Sequence, residues 1–243
     1  MTPLDTTHPS PAEATSPRPV AVVTGGSAGL GNALVRALAD DGWHVVTDAR
    51  TAPTLVAATA GLPHVTAIAG DVRSARHQAH LAEAVDDLGR LDLLIHNASE
   101  LGPMSELADV VLPALREVIA VNLLVPLELT QRLLPRLRAS HGTLVGISSD
   151  AAVEHYPRWG AYAASKAALD HLVLTLAVEN DLTGYAVDPG DLRTAMHQRA
   201  FPGEDISDRP LPETVVPDLL TLVRSGRPSG RYRLAALLAE ATR

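Results

Sequence analysis

The 243-residue chain has no cysteine, a single phenylalanine, only 3% aromatic residues, and one lysine, Lys166, against nineteen arginines. Without cysteine there is no disulfide framework, no thiolate metal site and no thiol nucleophile, so several enzyme classes fall away together. The same lack agrees with a reducing cytoplasm. Long apolar runs are missing too. None approaches the ~18 residues that suggest a membrane helix, and the N-terminus lacks the basic start, apolar stretch and small-residue cleavage site of a secretory signal. A soluble cytoplasmic protein with no membrane partner is expected. Nor is there an excess of positive charge: the formal net charge is −8, against the basic surface by which nucleic-acid binders work. No nucleic-acid partner is expected, while a small, locally bound anion stays open.

What is present is 46% hydrophobic residues, enough for one substantial core. The first nineteen residues, MTPLDTTHPSPAEATSPRP, hold five prolines among Ser, Thr and Ala, and residues 1 to 18 read as a flexible tail. Residues 19 to 243 read as a single domain. In it, apolar runs rich in β-branched residues alternate with helical stretches: VAVVT (20–24), HVVTD (44–48), HVTAIA (64–69), LDLLIH (91–96), TLVGIS (143–148) and GYAVD (184–188). Such alternation predicts an α/β fold, a Rossmann-type doubly wound parallel sheet of six or seven strands with helices on both faces. Gly42, Gly89, Gly142 and Gly184 each stand just before a strand, where a helix would end on a left-handed residue. The C-terminal SGRPSGRYRLAALLAEATR fits either a short seventh strand or a last helix.

TGGSAGLG (24–31) follows the first strand directly and opens the helix NALVRALADDG. Glycines at 25, 29 and 31 let the backbone turn tightly and approach a pyrophosphate, whose charge meets the free amides at the helix start. Alone, a glycine-rich turn is weak evidence. Its spacing here is T-G-x-x-x-G-x-G, and YAASK (162–166) adds a Tyr-x-x-x-Lys pair that four tyrosines and one lysine give by accident in about 2% of chains. Together these motifs resemble the short-chain dehydrogenase/reductase family, in its compact single-domain branch.

The resemblance covers residues 19 to about 233 and implies a dinucleotide-binding catalytic domain. By it, Thr24, Gly25, Ser27, Gly29, Leu30 and Gly31 form the dinucleotide loop, and Asp71 and Val72 meet the adenine. Asn97 and Ala98 keep the Asn-Ala-Gly turn after the fourth strand, with Ser99 replacing its glycine and His96 standing where Asn is more usual. Pro189, Gly190, Leu192 and Thr194 form the nicotinamide-side loop. Asn122, Ser149, Tyr162 and Lys166 match the catalytic set, with Ser149 thirteen residues before Tyr162. Tyr162 and Lys166 also touch the cofactor. The implied chemistry moves hydride between nicotinamide and a carbonyl or carbinol carbon while Tyr162 handles the oxygen's proton. Lys166, one helical turn on, favours the phenolate. Ser149 hydrogen-bonds the substrate oxygen, and Asn122 holds a water linking Lys166 to solvent.

Arg50 follows the position where NAD-preferring members carry an acid, here Ala49, and is placed to receive a 2′-phosphate. Asp48, one residue early, fits a surface ion pair with Arg50. NADP(H) is therefore preferred, with NAD(H) open. The substrate pocket falls to Glu100–Met104, His155–Trp159 and Thr194–Phe201, where Tyr156, Trp159, Met196 and Phe201 suggest an apolar or ring-containing carbonyl or alcohol, unless they merely cover the helices beneath. An NADP(H)-dependent ketoreductase is expected. The alternatives are an NADP-binding regulator or scaffold without turnover, or an epimerase or dehydratase using bound cofactor. His77 and His80 lie three apart on a helix and read as solvated rather than as metal ligands, and no metal is expected. GxSxG is absent, which leaves a hydrolase without support. Leu123, Leu127, Leu133, Leu172 and Leu176 put apolar residues on more than one face of two helices, which suggests a homodimer or homotetramer.

Overall fold

The computed structural model describes residues 18–241. The tail expected over residues 1 to 18 therefore lies, apart from Arg18, outside the described residues. Strand β1 (Val20–Val23) leads into α1 (Gly29–Asp40), β2 (His44–Ala49) into α2 (Ala52–Thr59), and β3 (Val65–Ala69) into α3 (Ala75–Leu88). β4 (Leu93–His96) precedes α4 (Leu112–Ile119), which runs through a π-turn (Ala120–Leu124) into α5 (Val125–Ala139). Then come β5 (Thr143–Ile147), α6 (Gly160–Glu179), β6 (Thr183–Asp188), α7 (Ala195–Ala200), α8 (Val216–Arg224), β7 (Gly230–Arg233) and α9 (Leu234–Ala241). The C-terminal segment is thus both things the sequence allowed, a four-residue strand and then a helix.

The strands pair in parallel in the order β3-β2-β1-β4-β5-β6-β7. Chain direction across the sheet reverses between β1 and β4, and a crevice opens at the carboxyl ends of such strands. Alternate residues feed opposite faces: Ala21 and Val23 pack with Leu34, Leu38 and Leu219 of α1 and α8, while Val20 and Val22 pack with Leu81, Leu129 and Leu169 of α3, α5 and α6. Both faces are covered, which is why the strands read as unbroken apolar runs. Leu133 and Leu176 belong to this second core cluster, so they are not surplus apolar surface. Exposed apolar residues of that region are Leu107, Val111, Leu112, Leu124 and, on α6, Val178. No described helix is long and apolar enough to cross a membrane.

Gly42 and Gly89 take the left-handed conformation expected after α1 and α3, with φ of +85° and +77°. Gly142 and Gly184 do not. There the left-handed residues are His141 and Asp181, with φ of +48° and +53°. The two glycines serve close packing instead: a Cβ on Gly142 would lie 2.7 Å from the Leu91 carbonyl oxygen, and one on Gly184 2.4 Å from Ala177 Cβ.

Candidate active site

A cleft of about 1220 Å³ runs along the carboxyl edge of the sheet. Every catalytic and cofactor-binding residue expected from the sequence lines it except Thr24 and Asn122, which stand behind the wall. Thr24 is buried, and its hydroxyl accepts the amides of Asn97 and Ala98, each at 3.0 Å. Asn97 Nδ2 donates in return to the Thr24 carbonyl at 2.8 Å. This exchange staples the loops after β1 and β4 across the point where chain direction reverses.

Gly25 turns with φ of +74° and Gly29 with φ of +53°. A Cβ on Gly31 would stand 2.3 Å from the Gly25 carbonyl oxygen and 2.4 Å from Asn97 Nδ2. Gly26, which sequence reasoning passed over, is equally constrained, since its Cβ would fall 2.0 Å from Thr47 Oγ1. Ala28, the residue at which α1 is capped, offers no side-chain cap, so the helix's first amides keep their need for an acceptor. Bare backbone and an uncapped helix start make a cradle suited to a pyrophosphate.

Asp48 corrects one expectation. It is buried and does not pair with Arg50: Oδ1 accepts the Gly25 amide at 2.8 Å, and Oδ2 meets His77 Nε2 at 2.9 Å. His77 is correspondingly buried, not solvated, while His80 is exposed. No cluster of potential metal ligands occurs among the described residues. Arg50 is exposed on the cleft wall with no hydrogen bond or ion pair among the described residues, and its charge reaches Asp71. Asp71 is held mainly by Arg73, whose guanidinium lies 2.6 Å away and keeps the carboxyl at about 2. Arg73 also pairs with Glu117.

At the far end of the cleft, Tyr162 and Lys166 project from the first turns of α6. The phenol is almost fully buried, and burial pushes its pKa far above the usual tyrosine value. The hydroxyls of Ser149 and Ser99 pull it down, and the charges of Asp150 and Asp188 add to the rise. Lys166 is 2% exposed, donates from Nζ to the Ile147 carbonyl at 2.7 Å and stands 5.5 Å from the Tyr162 ring centre. Burial lowers its pKa to about 8, against the opposing pull of Asp170. In the free protein burial outweighs the opposing hydroxyls and holds the tyrosine as a neutral phenol, a proton donor.

Ser149 caps a short 3₁₀ turn (Asp150–Ala152), accepting the Ala151 amide at 3.2 Å and donating to Asp150 Oδ1 at 3.0 Å. Asp150 Oδ2 accepts the Tyr156 hydroxyl at 2.9 Å. Sequence reasoning missed this neighbouring carboxylate, though it follows Ser149 directly. Asn122 sits in the π-turn, 1% exposed. Its Nδ2 donates to Glu100 O and Ser165 Oγ, both at 2.9 Å, while Oδ1 accepts the Glu100 amide at 2.8 Å and Ser99 Oγ at 3.2 Å. The carboxamide has no donor or acceptor left for the expected water, and it clamps the 99–100 loop to α6. His96 is buried against Thr130 at 2.8 Å and held neutral, its pKa lowered to about 3 by burial and then by Lys166.

The outer wall is aromatic. Trp159 touches Tyr162 and Phe201 with ring centres 5.9 Å apart in each pair, and Tyr156 at 6.4 Å. Leu101 and Met196 pack into the same patch, and both line the cleft, whereas Met104 and His155 do not. Pro189, Gly190 and Leu192 line the cleft as well, and Thr194, which a Cβ on Gly29 would approach to 3.4 Å, caps α7 by accepting the His197 amide at 3.1 Å. A dinucleotide fits this arrangement: the glycine cradle and uncapped helix receive its phosphates, Arg50 stands beside Asp71 and Val72, and the length of the cleft leads to Tyr162.

Residues 19–205 match the model of the short chain dehydrogenase family. An uncharacterized oxidoreductase of Schizosaccharomyces pombe is 34% identical over 73% of this chain. L-fucose dehydrogenase of Mus musculus is 32% identical, also over 73%. These matches take in 72% and 66% of the relatives' own lengths, and about half of some others. Among solved structures, a short chain dehydrogenase of Escherichia coli CFT073 in complex with NADPH superposes with a TM-score of 0.81 at 31% identity, covering 89% of this chain and 96% of its own.

Proposed function

The chain belongs to the short-chain dehydrogenase family, and from that premise we propose that it is an NADP(H)-dependent oxidoreductase acting between a carbonyl and a secondary alcohol. Its favoured direction is reduction of an apolar or ring-containing ketone. The observation that carries this reading is Tyr162, a neutral, buried phenol between two serine hydroxyls at the foot of an aromatic wall. Bound in the cleft, the nicotinamide would supply or accept the hydride. The chain supplies everything else. Trp159, Tyr156 and Phe201 hold the substrate's apolar body and exclude water. Ser149 turns its hydroxyl from Asp150 to the substrate oxygen, where charge develops. Tyr162 gives that oxygen its proton, and Lys166, with a pKa near 8, can release a proton close to neutral pH to restore the phenol. Asn122 keeps loop and helix in register. A homodimer or homotetramer in the cytoplasm completes the proposal, with the exposed Leu107, Val111, Leu112 and Leu124 as apolar surface available to it.

Preference for NADP(H) follows from the unpaired Arg50 and the inward-turned Asp48, which leave a cation and no free acid at the end of β2. A planar guanidinium can pair bidentately with a 2′-phosphate that NAD(H) lacks. Arg50→Ala is expected to weaken NADPH binding at least tenfold while changing NADH binding less than twofold, as measured by fluorescence titration. Equal losses for both cofactors would contradict it.

A further inference from the structure

β7 is four residues long, and its side chains alternate. Tyr232 turns to one face, packing edge-on against Tyr185 with ring centres 5.6 Å apart. Arg231 and Arg233 turn to the other. Arg231 there reaches three elements at once: Nε donates to Asp170 Oδ2 on α6 at 3.1 Å, and Nη2 donates to the Ser149 carbonyl at 2.8 Å and to Asp188 Oδ2 at the end of β6 at 3.4 Å. Among the described residues Arg233 reaches only Asp188, at 3.8 Å, and it is largely exposed.

We propose that Arg231 is a positioning residue for the proposed reaction, holding by its backbone carbonyl the Ser149 from which the substrate-facing hydroxyl projects. The inference rests on the reading of Ser149 given above. Two nearly buried carboxylates gathered on one guanidinium are a poor device for stability alone, because an apolar set of similar volume commonly does as well or better. What the arrangement achieves is geometric. β5 ends at Ile147, and the chain beyond it carries Ser149 and Asp150 into the cleft with no strand to hold them. The guanidinium fixes that stretch from behind and ties it to α6 one turn beyond Lys166. Two nitrogens of one planar fork, Nε on Asp170 and Nη2 on the Ser149 carbonyl and Asp188, explain an arginine: a lysine would bring one point charge and could not span them.

The test compares Arg231→Ala with Arg233→Ala, a change on the same strand that also removes an ion pair to Asp188 but no contact to Ser149. Hydrogen exchange is read by mass spectrometry on the free enzyme, alongside kcat, KM and NADPH affinity. Arg231→Ala is expected to speed exchange over residues 148–153 at least tenfold and to lower kcat at least tenfold, with NADPH affinity within twofold. Arg233→Ala is expected to leave all of these near wild type. Unchanged exchange over 148–153 in Arg231→Ala, or equal effects of both variants, would overturn the proposal. Should Arg231→Ala not fold, Arg231→Lys carries the test: faster exchange at 148–153 with a near-native melting temperature supports it, and native exchange overturns it. Ser149→Ala separates the two claims. Full turnover by that variant would defeat the reading of Ser149 as catalytic, while the exchange result still decides whether Arg231 anchors the segment.

Discussion

Ser149 and Asp150 show how one added charge tunes a neighbouring group. Asp150 accepts the Ser149 hydroxyl, and its charge helps to hold the Tyr162 proton. Asp150→Asn keeps an acceptor for Ser149 and removes that charge, so the phenol should lose its proton at lower pH. The alkaline limb of the kcat profile is expected to move down, by about half a pH unit or more. An unmoved or rising limb would count against the contribution of Asp150. At this scale the sequence was informative where a residue type has few uses: a lone lysine four places after a tyrosine, or a serine thirteen places before it. It was silent where a role depends on who else is near. Asp48 and Arg50 look like an ion pair in one dimension, two places apart and so on one face of a continuing strand, yet β2 ends at Ala49 and Asp48 is taken by the Gly25 amide and His77 instead. Nothing in the local pattern marks His77 as the partner, because the two are 29 residues apart.

Gly31 at the start of α1 and Gly42 just past its end separate two reasons for keeping a glycine. At Gly31 the constraint is space: a new Cβ would meet backbone 2.3 Å away, in the cradle itself. At Gly42 nothing lies within 4 Å, and the constraint is a φ of +85°. Gly31→Ala is expected to weaken NADPH binding at least tenfold. Gly42→Ala is expected to cost about 1 kcal/mol of stability with affinity unchanged. Titration and thermal melting of the two variants check this pair, and loss of affinity in both would mean that the distinction is wrong. Elements were legible from the sequence wherever periodicity and flanking glycines agreed, as in β1, β2 and α3. β7 was not, because four residues with two arginines, GRYR, carry no apolar signature. Its arginines answer to Asp170 and Asp188, acids fixed by other parts of the chain. The π-turn at Ala120–Leu124 was equally hidden, since nothing local to VNLL distinguishes it from α-helix.

For the whole molecule, buried Lys166 links chemistry to stability. Lowering its pKa from 10.5 to about 8 corresponds to about 3 kcal/mol against the charged form. Between those values the unfolded chain holds a proton that the folded one has released, so stability rises with pH across that window and the cost is fully present below it. Lys166→Met, which keeps the stem and drops the charge, is expected to abolish turnover yet to lose this rise in denaturation curves from pH 7 to 10.5. A persisting rise would assign it to other groups. The fold as a whole was legible because strands covered on both faces must be apolar throughout. The aromatic wall was legible because so few aromatics exist to be gathered. The balance of forces on Tyr162 was not, since it depends on burial that only the assembled cleft provides. That balance is also where the account is most directly tested, by following NADPH oxidation with a panel of aryl and alicyclic ketones for the wild-type protein and Tyr162→Phe. The wild type is expected to turn over at least one ketone, and the variant to bind NADPH normally while reducing that ketone at least a hundredfold more slowly. Comparable rates for the two proteins, or no oxidation of NADPH by the wild type with any of these carbonyls, would contradict the proposed function.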